Sequence, residues 1–132
     1  MGTICENELE KSKIYKWKIK ILNSVYKYIM VGVAPIDFDI NSSDYSNCGW
    51  YFYCANSSLY SGPSFNYSNK NTILSKVKDE IIVVMDMNKR SLKFIIDNED
   101  KGESYTNIPL DKPIAPAVCL LALNDSVEII EC

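Results

Sequence analysis

Apolar and polar positions alternate along much of this chain with a period of two, and turn residues interrupt the alternation every eight to twelve residues or so. That pattern predicts short strands rather than helices. In Tyr15-Lys16-Trp17-Lys18-Ile19-Lys20-Ile21, one side carries Tyr15, Trp17, Ile19 and Ile21 and the other carries the lysines. This is a half-buried strand, and its outward lysines discourage pairing with other chains. A second strand covers residues 28–34 and ends at Pro35, which cannot donate to a ladder. Gly32 inside it predicts the close approach of another backbone or side chain. The run Gly49-Trp50-Tyr51-Phe52-Tyr53-Cys54 is an aromatic strand, with residues 57–60 as a short partner across a tight turn. Residues 80–87 form a nearly continuous apolar run, as in a strand buried on both faces. Asn88-Lys89-Arg90 turns the chain, and residues 91–96 return it as a hairpin. Residues 97–102 read as a second turn, 113–121 as another apolar strand and 126–131 as the last strand. The polar stretch 37–47 reads as a long loop and 64–76 as a loop with a little strand.

No segment has the apolar stripe of an amphipathic helix; residues 6–13 have room for one or two turns but lack the stripe. The expected fold is all-β, a bent sandwich of two antiparallel sheets that bury their inner faces against each other. The 132 residues suit one domain, 13–132, preceded by a segment 1–12 that has room for a weak first strand. A chain of this length buries about 68% of its unfolded surface and needs no staples. Trp17, Ile19, Phe52, Val83, Met85, Phe94 and Val118 fall at the inward phase and are expected in the core. Trp50 reads either as core or as a binding anchor.

Composition narrows the function. The net charge of −3 supplies no basic face for phosphates, which argues against nucleic acid and against an anionic membrane surface. The absence of histidine removes the commonest general base and every Ser-His or Cys-His dyad. The five cysteines (Cys5, Cys48, Cys54, Cys119, Cys132) include no Cys-x-x-Cys pair and read as reduced thiols of a cytoplasmic protein. No apolar run approaches the roughly 18 residues of a membrane span. The N-terminus begins like a myristoylation site but has Glu6 where Ser or Thr is required. Four glycosylation sequons, at Asn41, Asn56, Asn66 and Asn124, have no secretory signal ahead of them and are expected to be unused. Asp37, Asp39 and Asp44 lack the Gly and terminal Glu of a calcium loop. Glu99, Asp100 and Glu103 lie on an expected exposed turn, where nothing separates their pKa values for acid–base work. No catalytic residue, metal or cofactor is expected, and the chain is not read as an enzyme.

Five segments, in order, resemble a SPRY domain. They are Trp17-Lys18-Ile19-Lys20-Ile21, Ile29-Met30-Val31-Gly32-Val33-Ala34, Gly49-Trp50-Tyr51-Phe52 with Leu59-Tyr60, the Asp-rich hairpin of residues 83–94, and Gly102 with residues 114–118. The likeness extends over about 13–131. It implies a protein-recognition module, often attached to ubiquitin-ligase or scaffold machinery, that binds through loops at one end of the sandwich. The chain departs from the pattern where the family usually carries glycine: Arg90 stands late in the hairpin turn, and Asn98-Glu99 replaces Asn-Gly. If the backbone keeps φ > 0 there, each non-Gly residue costs about 1 kcal/mol; the alternative is that Asn98 takes that conformation itself.

The resemblance places the partner-binding candidates in loops. Tyr45 and Asn47 lie in the polar stretch ahead of Gly49, where an aromatic either lines a pocket or packs on the sandwich edge. Tyr53 falls on the face opposite Phe52. Tyr26 lies in the turn before the second strand, beside Tyr28. Asn56 sits in the tight turn after the aromatic strand, and Leu121, Leu123 and Asn124 lie in the loop before the last strand. These loops are expected to converge at one end. Tyr and Asn side chains there offer contact area at low entropic cost. The leading function is therefore recognition of a protein or short peptide by a monomeric domain. The alternatives are a lectin-like carbohydrate-binding sandwich and a purely structural domain; fold alone does not separate them.

Overall fold

The computed structural model describes residues 2–4, 13–24, 27–36, 49–55, 57–61, 76–109, 113–120 and 125–131. The described residues hold ten strands and no helix. In chain order the strands are β1 (Gly2–Ile4), β2 (Ile14–Asn23), β3 (Ile29–Pro35), β4 (Trp50–Tyr53), β5 (Ser58–Ser61), β6 (Glu80–Asp86), β7 (Ser91–Ile96), β8 (Glu99–Tyr105), β9 (Ile114–Leu120) and β10 (Ser126–Glu131). They form two five-stranded sheets, β1-β9-β3-β4-β5 and β10-β2-β6-β7-β8. Every pairing is antiparallel, so each sheet can alternate an apolar inner face with an outer one.

The register puts the alternating residues where the pattern requires. Trp17 pairs with Val83, Ile19 with Ile81 and Tyr15 with Met85; Val83 in turn faces Phe94 and Met85 faces Leu92. Directly opposed residues share a face, so these pairs form one apolar layer. The other sheet supplies Ile29, Val31, Val33, Trp50, Phe52, Leu59, Ile114 and Val118. All seven residues expected in the core are buried, and so is Trp50. Phe52 and Phe94 meet across the two layers with ring centroids 5.7 Å apart and planes tilted by 41°. A tilted aromatic pair of this kind adds about 1 kcal/mol beyond its buried area.

The outer face of the second sheet explains the apolar run of β6. Val84 lies between Lys16 and Lys93 in the ladder, and Ile82 lies between Lys18 and Ile95. Val84 is nearly fully buried although it points away from the core. Lysine stems flanking an apolar residue cover it while their ammonium groups stay in water. Lys18 also reaches Glu80 at 3.7 Å, and Lys93 reaches Asp100 at 2.9 Å.

Gly32 in β3 pairs with Tyr51 in β4. A Cβ at Gly32 would run into the carbonyl of Trp50, so the two backbones approach as the sequence predicts. Strand bounds differ slightly from expectation: Tyr28 lies outside β3 and is exposed, whereas Pro35 is its last paired residue, opposite Ile114.

One expectation requires correction. Residues 97–102 are not one turn. The turn is Asp97-Asn98 alone, and Glu99–Tyr105 is strand β8. Its sequence is polar and contains Gly102 at φ 74°, so composition does not mark it as a strand. Its pairing with β7 makes it one, with an irregular ladder around Lys93. Asn98 itself takes the left-handed conformation, one of the two outcomes expected, and Asp97 before it shares it. Asp97 (φ 48°) and Asn98 (φ 70°) carry positive φ, and Glu99 is already in the strand. Two consecutive positive φ values in a two-residue connection are those of a type I′ hairpin. At the other hairpin the left-handed backbone is kept without glycine: Arg90 has φ 55°.

Candidate interaction surface

The strand register decides which loops meet. Ile29, at the start of β3, pairs with Leu120, at the end of β9. Met30 pairs with Tyr53, and the Cys54 N–H donates to the Ile29 carbonyl at 2.9 Å. Asn23, at the end of β2, pairs with Ser126, at the start of β10. The connection 24–28, the turn 54–57 and the segment 121–125 are thus attached at one end of the sandwich. The segment 37–48 is attached at the opposite end, because Val33 pairs with Trp50 and the Ile36 N–H donates to the Pro113 carbonyl at 2.9 Å. The expected convergence of the four loops falls largely on residues 37–48 and 121–124, which lie outside the described residues. The antiparallel β3–β4 ladder sets the attachment, whatever the loop composition.

Of the eight candidate residues, only Tyr53 is described. Tyr26, Tyr45, Asn47, Asn56, Leu121, Leu123 and Asn124 lie outside the described residues. Tyr53 is on the face opposite Phe52, as the alternation requires. It is half-buried rather than projecting, because it packs against Met30, Ala34, Tyr51, Ala117 and Cys119, a second apolar cluster on the outer face of the first sheet. Alternation alone could not show this cluster, since it assigns that face to solvent. Its trace in the sequence is the near-continuous apolar character of β3 and β9, which places Met30, Ala34, Ala117 and Cys119 on that face.

The backbone at this end is held by local geometry. Lys27 takes φ 55° and Ser57 takes φ 58° at this end. The Lys27 N–H donates to Ser24 Oγ at 2.8 Å, which fixes the bend before β3. Tyr28, 41% exposed, follows it. The described part of this end therefore offers an exposed ring at Tyr28, a half-buried ring at Tyr53 and a cation at Lys27.

The chemistry of this end is not that of a reactive centre. Burial pushes the Cys54 thiol up to about 12, with the Lys27 ammonium pulling weakly the other way. Cys119, also buried, is raised to about 11, with the Tyr51 phenol pulling the other way. A thiol is nucleophilic only as thiolate, so both are inert near neutrality. Both are free of disulfides. No group of three or more Cys, Asp or Glu side chains able to hold a metal occurs among the described residues.

A third turn at this end is braced by a carboxylate. Asp97 accepts from the N–H groups of Lys78, Asp79 and Glu80 at 2.7, 3.0 and 3.1 Å. Desolvation pushes its pKa up, but the three donors outweigh this and hold it below the usual carboxylate value. The chain leading into β6 is thereby tied to the β7–β8 hairpin. Neither the carboxylate's role nor the position of its donors 17 to 19 residues upstream could be read from the sequence.

No protein-family model matches the chain, and no curated protein matches it. Solved structures do. The SPRY domain of human HERC1 superposes with a TM-score of 0.70 at 18% identity, over 99% of this chain and 80% of that one. A second human SPRY domain superposes with a TM-score of 0.75 at 15% identity, over 98% of this chain and 82% of that one. The two five-stranded sheets, their antiparallel order and these superpositions together show that this chain has the SPRY fold.

Proposed function

We propose that this chain is a protein-interaction module that recognises a peptide or a folded partner through the loops at the Tyr53 end of the sandwich. The attachment of three connections at that end carries the reading. Rigid strands hold their roots together, so side chains distant in sequence can form one contact surface without further ordering cost. The SPRY fold supports an interaction role in general. In a longer cytoplasmic protein the module would serve as the substrate-recognition part of a ubiquitin ligase or a scaffold. Its ligand is a protein or short peptide, not nucleic acid or a membrane, and the domain acts as a monomer without cofactor or catalysis.

The test is affinity capture from a cytosolic extract with four baits: wild type, Tyr28→Ala, Tyr45→Ala and Lys18→Ala. Truncating an aromatic anchor at the centre of an interface costs about 2 kcal/mol, or about 30-fold in affinity. Tyr28→Ala is expected to lose the captured partner to that extent, and Lys18→Ala, on the outer sheet face, to retain it. Tyr45→Ala shows whether segment 37–48, rooted at the far end, joins the surface. Retention by Tyr28→Ala and Tyr45→Ala with loss by Lys18→Ala would place the contact on the sheet face and refute the proposal.

A further inference from the structure

We draw no further inference here: the strongest candidate, the edge strand β10 with exposed Ile129 and Ile130 on its opposite faces, is an apolar edge for which nothing in the structure shows what covers it.

Discussion

The phenol of Tyr105, in edge strand β8 of one sheet, donates to the main-chain carbonyl of Tyr51, in β4 of the other, at 2.8 Å. Tyr105 is buried, so this bond crosses between the sheets away from water. Tyr105→Phe keeps the ring and removes the donor. It is expected to lower stability by about 1 kcal/mol, whereas Tyr105→Ala, which also empties a core position, is expected to cost about 4 kcal/mol. Urea unfolding of the two variants checks the ratio; a Tyr105→Phe variant as stable as wild type would mean that the bond contributes nothing beyond the ring.

Gly32→Ala tests the contact of β3 with β4. The added methyl meets the carbonyl of Trp50, a backbone atom that cannot swing aside. A loss of about 3 kcal/mol is expected, large for the addition of one carbon. Gly102 has open space around it, but its φ of 74° puts any side chain under strain. Gly102→Ala is therefore expected to cost only about 1 kcal/mol. Thermal melts that rank the two variants the other way would contradict the close approach at Gly32.

Arg90 holds a left-handed backbone that glycine adopts freely. Arg90→Gly is expected to raise stability by about 1 kcal/mol. Lys89→Gly, in the same turn but without positive φ, is expected to lower it by about 0.5 kcal/mol through the freer unfolded chain. The Asp86 carboxylate, which accepts from the N–H groups of Asn88 and Lys89 at 3.0 Å each, keeps the turn formed in both variants.

Asp97 and Asp100 both titrate below the usual carboxylate range. For Asp97 the three N–H donors overcome desolvation; for Asp100 the Lys93 ammonium and the Gly102 N–H lower the pKa. A folded-state pKa below the unfolded one gives stability that is present above the unfolded value, about 4, and is lost as pH falls through the folded value. Stability is therefore expected to hold from neutral pH to about 5 and to fall below about 4. Asp97→Asn is expected to be less stable at pH 7 and to show a shallower decline in acid. An acid slope identical to wild type would show that Asp97 carries no part of it.

Cys54 and Cys119 are expected to resist a thiol reagent at pH 8 in the folded protein and to react fully once it is unfolded. With their pKa values raised to about 12 and 11, almost no thiolate is present. Reductant is expected to leave the melting temperature unchanged. Rapid labelling of Cys54 in the native protein would show that the end of β4 opens readily.

Local patterns along the chain suffice for the fold class and most of the core. Alternation along β2 and β7, the apolar run of β6 and the aromatics of β4 are local signals, and each strand needs only its own residues to show which face is inward. The close approach at Gly32 was legible for the same reason, as was the likeness to SPRY domains, carried by short motifs in a fixed order. What depends on partners in space was not legible. Polar β8 is a strand because β7 supplies its ladder. Tyr51 and Tyr53 face away from the core yet pack, because Met30, Ala117 and Cys119 from neighbouring strands complete a second cluster beneath them. The carboxylate of Asp97 acts on amides 17 to 19 residues away. The candidate surface divides in the same way: residue types in the loops suggested recognition, but only the antiparallel register decided that three loops root at the Tyr53 end and one at the other. Pairing register joins residues remote in the chain, and no local pattern of apolar and polar positions encodes which strand lies beside which.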